Sequence, residues 1–127
     1  MTEKNDIFFR VSDAKDVSTW LTEPVDAIVA ETYLGPAKHG FDRATLEGLK
    51  VELMKIYRDS LVALAKKLKP NGTIVIAFPA FVVKNEIIKL PLKKAIEDAG
   101  LTIDATWMYR RPDQMTAREI VRMKKRT

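Results

Sequence analysis

Three consecutive residues carry the strongest chemical signal in this sequence. Glu31, Thr32 and Tyr33 set a carboxylate, a hydroxyl and an aromatic ring directly after the apolar run Ala27-Ile28-Val29-Ala30. A carboxylate accepts hydrogen bonds from a ligand's N–H groups, and a tyrosine ring offers a flat face for stacking. Leu34, Gly35 and Pro36 then turn the chain into a polar loop that holds Lys38 and His39. The apolar run reads as a strand buried on both faces, because four successive apolar residues leave no polar face. In open α/β sheets ligands bind beyond the carboxyl ends of the strands, so this is the expected site. Each residue also has an ordinary reading: Glu31 as a loop carboxylate or ion-pair partner, Tyr33 as a rim residue of the core, His39 as an exposed loop residue.

The elements that must position these groups follow from periodicity. Residues 7–11 have the aromatic and β-branched content of a short strand, and Ser12 or Asp13 can cap a helix over 15–21. Beyond the polar loop, Asp42 or Thr45 opens the longest helix. Its apolar positions Leu46, Leu49, Leu53, Ile56, Tyr57, Leu61, Leu64 and Leu68 keep the spacing of three and four. Pro70-Asn71-Gly72 breaks it, and the unbroken apolar run 73–78 reads as a second buried parallel strand, closed by Pro79. Strand, long helix and strand make a βαβ unit. A less regular stretch over 81–90 precedes a helix that starts with Pro91 and stops at Gly100. The alternation of Leu101, Ile103, Ala105, Trp107 and Tyr109 with polar residues then predicts a half-exposed strand near a sheet edge. Residues 119–124 form a last strand, antiparallel to it, with a solvated basic end. Trp20 and Trp107 are expected in the core.

Composition narrows the chemistry. The chain has 127 residues, 46% hydrophobic and 31% charged, which suits one globular domain. It has no cysteine and one histidine, so no metal site is expected. No apolar run approaches the roughly 20 residues that span a bilayer, and the polar start is unlike a signal peptide; no membrane contact and a cytoplasmic location are expected. The net charge of +5 is compatible with a nucleic-acid partner without demanding one.

This order of elements resembles the latter half of a class I S-adenosylmethionine-dependent methyltransferase. More narrowly, it is similar to the tRNA guanine-N2 methyltransferase-like RNA methylases. Three matches carry the resemblance: Ser12-Asp13-Ala14 after the first strand; the stretch from Val25 to Pro36 in place of the family's Asp-Pro-Pro-Tyr motif; and Tyr109-Arg110-Arg111-Pro112-Asp113-Gln114 followed by Arg118-Glu119-Ile120. It implies an α/β fold, a Rossmann-like, mostly parallel sheet with a C-terminal antiparallel hairpin, as a single domain over 1–127 that begins at the family's third strand.

The resemblance also implies roles. Glu31, Thr32 and Tyr33 would be catalytic, with Glu31 accepting the hydrogens of an exocyclic amine on a base and Tyr33 stacking on that base. Thr32 stands where the family has proline. Asp13, Ala14 and Glu31 would hold S-adenosyl-L-methionine. Leu34, Gly35, Pro36, Lys38, His39 and Arg111 would contact the substrate, in tRNA or another RNA. The family's glycine-rich cofactor loop and the acid after its second strand have no counterpart, and the five glycines form no Gly-x-Gly cluster. The strand at 27–30 is therefore expected to have an open edge. It would be met by residues 7–11 sliding over, by a second copy of the chain in a homodimer, or by the missing N-terminal half as a separate chain. The expected function is a methyltransferase or its substrate-side half. A non-catalytic RNA-binding or partner-binding subunit and a piece cut from a longer protein are the alternatives.

Overall fold

The computed structural model describes residues 7, 9–32, 42–113 and 116–126. Tyr33, Leu34, Gly35, Pro36, Lys38 and His39 lie outside the described residues. The fold is α/β, with one mixed sheet and its helices packed on a single face.

The chain begins with a correction. Residues 7 and 9–13 form no strand, and Phe9 and Val11 are almost fully exposed, because no other described segment pairs with them. The expected first helix is a short 3₁₀ helix, η1 (Ala14–Thr19), with Val17 as its buried residue. Asp13 is its N-cap: the carboxylate accepts from Lys15 N at 3.1 Å.

Strand β1 (Val25–Glu31) leads to helix α1 (Arg43–Lys67), capped by Asp42, whose side chain accepts from Thr45 N at 2.7 Å. Leu46, Leu53, Met54, Tyr57, Leu61 and Ala65 form the buried face of α1, while Ile56 sits off it and is exposed. Strand β2 (Leu68–Val83) is far longer than the six residues expected. Pro70-Asn71-Gly72 does not end an element but bulges out of the strand: Val25 pairs with Leu68, then Ala27 with Thr73, and Asn71 takes φ 65°.

Pro79 does not close β2 either, and the register explains why. Thr32 N donates to Ala77 O on the β1 side, so the odd-numbered residues of this stretch turn their N–H and C=O groups that way. The N–H that proline lacks therefore faces a place where β1 has already ended at the Glu31–Ala77 pair. On its other side Pro79 still pairs with Arg118. Beyond it, β2 folds back onto β3 (Glu86–Ile88) through Lys84 and Asn85, both at positive φ, a two-residue hairpin turn.

Helix α2 (Leu92–Asp98) ends at Gly100, whose φ of 83° is the left-handed conformation of a helix stop. Strands β4 (Leu101–Tyr109) and β5 (Thr116–Lys125) form the expected antiparallel hairpin, and β5 also runs antiparallel to β2. The sheet order is β1-β2-β5-β4, with β3 pairing to β2. Ile74, Ile76 and Phe78 of β2 with Val121 and Met123 of β5 meet α1 and α2 in one core.

Two burial expectations fail. The run at 27–30 is not covered on both faces: β1 is an edge strand, with Ile28 and Ala30 packed toward α1 and Val29 82% exposed. Trp107 is 50% exposed rather than core, because the register of β4 shifts between Ile103 and Ala105. That shift puts Ala105, Trp107 and Tyr109 in line with Arg122, Ile120 and Arg118 on the uncovered face, where the Arg122 guanidinium sits over the Trp107 ring. Trp20 is half-buried.

Candidate functional site

The carboxyl end of β1 opens onto a cavity of about 370 Å³ between η1, β1, β2 and α1. Its walls are Ile56, Leu61, Leu64, Ile76 and Phe78, and its polar groups are Asp13, Glu31, Thr32, Tyr57 and Ser60. The fold thus brings together four residues singled out from the sequence, Asp13, Ala14, Glu31 and Thr32, although 17 or more positions separate the first pair from the second. Crossing from η1 to β1 returns the chain to the same end of the sheet, and that return is what assembles them.

Thr32 is the most tightly held of the four. Its N–H and its hydroxyl both donate to Ala77 O, at 3.1 and 3.0 Å, and the hydroxyl stands 3.4 Å from that of Tyr57. Where a proline would stiffen the backbone through its ring, this threonine anchors it by two bonds to one carbonyl. Its hydroxyl is consequently turned into the protein. Glu31 lies at the mouth. Arg118 of β5 reaches its carboxylate at 3.5 Å across the uncovered face, and the Glu31 side chain stays 59% exposed. Asp13 lines the cavity while capping η1 and contacting Lys15 Nζ at 3.9 Å.

Tyr57, Ser60 and Arg118 belong to the site beyond the expected set. Tyr57 sits edge-on to Phe78, with ring centroids 5.3 Å apart, and carries its hydroxyl to Thr32. In the sequence Tyr57 and Ser60 are hidden in the apolar periodicity of α1, and only their offset of three, which sets both on one helix face, hinted at a shared role. Arg111 is exposed and does not line this cavity.

No protein-family model matches the chain, and no curated protein sequence does. Solved structures do. TrmN from Thermus thermophilus superposes with a TM-score of 0.61 at 17% identity, over 94% of this chain and 28% of its own. The N-methyltransferase NodS from Bradyrhizobium japonicum WM9, in complex with S-adenosyl-L-homocysteine, gives 0.54 at 16%, over 90% and 52%. The Burkholderia thailandensis 1,6-didemethyltoxoflavin-N1-methyltransferase, with 1,6-didemethyltoxoflavin and S-adenosylhomocysteine bound, gives 0.51 at 15%, over 80% and 44%. The fold is the Rossmann-like methyltransferase fold. The chain spans about half the length of two of these methyltransferase structures and less of the third.

Among the described residues no cluster of acids or histidine could hold a metal ion, and no helix is long and apolar enough to cross a membrane. The cavity does fit one end of an adenosyl cofactor. Apolar walls accept a flat heteroaromatic ring, and the Asp13 carboxylate can accept a hydrogen bond from its exocyclic amine at the rim.

Proposed function

We propose that this chain is the substrate-side part of an S-adenosyl-L-methionine-dependent methyltransferase that methylates an exocyclic amine of a nucleic-acid base, in tRNA or another RNA. The observation that carries the reading is the cavity at the end of β1, where Asp13, Ala14, Glu31 and Thr32 converge. That two of the structural neighbours are named N-methyltransferases supports an amine acceptor.

The bound cofactor would supply an electrophilic methyl group on a sulfonium. The work of the chain itself is binding and orientation. An exocyclic amine is a poor nucleophile, because its lone pair is drawn into the ring. A carboxylate that accepts one of its hydrogens returns electron density to nitrogen and fixes the direction of attack. In this reading Glu31 takes that role at the end of β1, with Arg118 as its counter-charge at 3.5 Å. Thr32 keeps the strand end from shifting through its paired bonds to Ala77 O. Tyr33 follows directly and supplies the stacking ring in this reading. Asp13 and Ala14 take the adenine edge of the cofactor. Arg111 and the positive charge of the chain serve phosphate contacts, which position RNA without reading its sequence.

The test is a calorimetric titration of S-adenosyl-L-methionine into the chain, paired with the variant Ser60→Phe, which fills the cavity. Saturable binding at micromolar strength that Ser60→Phe abolishes, without loss of the folded circular-dichroism signal, is the expected result. Binding that Ser60→Phe leaves intact would place the cofactor elsewhere and overturn the assignment.

A further inference from the structure

We infer that a second cavity, between α2, β4 and β5, binds a guanine nucleotide, with Glu119 accepting from the base and Lys93 and Lys94 meeting the phosphate. It shares no lining residue with the cavity at the end of β1. The inference therefore stands apart from the methyl-transfer reading, and nucleotide binding and cofactor binding report on the two separately.

The cavity follows from the length of α2. Its seven residues cover Leu101 but leave Ile103 and Met108 of β4 each 40% exposed. The space beside the helix is about 390 Å³, enough for a small ligand, and its lining comes entirely from described residues between 89 and 121. Leu90, Leu92, Ile96, Ile103 and Val121 make the walls apolar. One carboxylate stands among them. The odd-numbered residues of β5 face the helices, and that row reads Ala117, Glu119, Val121 and Met123, with the Glu119 side chain nine-tenths buried.

Among the described residues Glu119 is the one buried charged residue. Its side-chain partner there is Lys89, whose Nζ lies 3.4 Å away, long for a charge-assisted hydrogen bond. Lys89 balances the charge of the carboxylate but leaves most of its roughly four acceptor positions empty. A buried acceptor without donors is costly. As a tether alone the pair contributes little, since an apolar side chain in its place would pack as well. The carboxylate thus lacks neutral N–H groups, not a second cation. Among the nucleobases only guanine sets two N–H donors side by side, on its ring and on its exocyclic amine, matching the two oxygens of one carboxylate. Adenine and cytosine put a ring acceptor beside their amine, and that acceptor would repel Glu119. The other polar groups suit the far end of such a ligand. Lys93 and Lys94 stand exposed on α2 at the cavity rim, with Lys94 also 3.4 Å from Asp98, and can meet a phosphate.

Calorimetric titration of guanosine monophosphate into the chain should show saturable binding, and adenosine monophosphate should bind roughly 10- to 100-fold more weakly. Glu119→Gln keeps the shape and exchanges an acceptor oxygen for a donor; it should weaken guanosine monophosphate by about tenfold or more. Lys93→Ala combined with Lys94→Ala should bring the nucleotide down to the affinity of unphosphorylated guanosine. The adenine comparison and the lysine variants keep Glu119 in place, so they decide the matter even if Glu119→Gln does not fold. A short unstructured RNA with one guanine tells the sources apart. Tighter binding than the mononucleotide assigns the cavity to an RNA residue, equal or weaker binding assigns it to a free nucleotide, and both satisfy the proposal. Equal affinity for the two mononucleotides, binding that a folded Glu119→Gln leaves intact, or no saturable binding of either guanine ligand would overturn it.

Discussion

Thr32 offers a measurement in which two substitutions at one position must differ by more than their side chains do. In Thr32→Val the hydroxyl is lost and the shape is kept. Ala77 O still receives the backbone N–H of residue 32, so no acceptor is stranded, and the cost is that of one ordinary hydrogen bond, about 1 kcal/mol. With an unfolding entropy of about 2.1 cal/mol/K per residue, 127 residues give roughly 0.27 kcal/mol/K, so Tm should fall by about 4 °C. Thr32→Pro places the residue of the resembling motif in this chain. It removes both donors at once and leaves Ala77 O with neither, adding about 1–3 kcal/mol for a stranded acceptor. The total is about 2–4 kcal/mol, and the expected fall in Tm is roughly 7–15 °C. Thermal and urea denaturation followed by circular dichroism measure both. If Thr32→Pro is as stable as Thr32→Val, the paired anchoring on Ala77 O is wrong.

Further outcomes follow from the same structure. Leu53→Ala and Leu61→Ala empty fully buried positions of α1 and should each cost about 2–5 kcal/mol, read as a shift of the urea midpoint. Asn85→Gly should be tolerated at the second, positive-φ position of the β2–β3 turn, while Asn85→Val, β-branched at that φ, should cost about 1–3 kcal/mol; equal stability of the two would refute the turn geometry. Glu31→Ala and Tyr33→Ala should abolish methyl transfer to RNA, measured by label from S-adenosyl-L-methionine. Because Glu31 is exposed and its contact with Arg118 is long, Glu31→Ala should change stability by less than about 1 kcal/mol. Full activity in both variants would remove the amine-acceptor assignment.

Much of the fold could be read from the residues, and the failures share a cause. The periodicity of α1, its cap at Asp42 and the antiparallel end were legible because each is set by neighbours within a few positions or by a sustained pattern. The run at 27–30 was misjudged because composition records what a strand is suited to lie against, not whether that surface is present beside it. Trp107 was misplaced by one register shift in β4, which reverses the face of every later side chain and leaves no mark on the alternation itself. Pro79 was taken for a stop because the direction of its missing N–H depends on the neighbour's length. In the site, Asp13, Ala14, Glu31 and Thr32 stand out as polar or small residues at element ends. Tyr57 and Ser60 do not, since a helix face shows its apolar majority.

Pro79 has a consequence for shape. β1 and β3 lie along the same side of β2, one ending opposite Ala77 and the other ending opposite Phe81, and the position between them offers no donor. An extension of β1 beyond Thr32 would lack the hydrogen bond that residue 79 cannot donate, so among the described residues the regular ladder between β1 and β2 breaks off at Glu31 and Thr32, at the cavity.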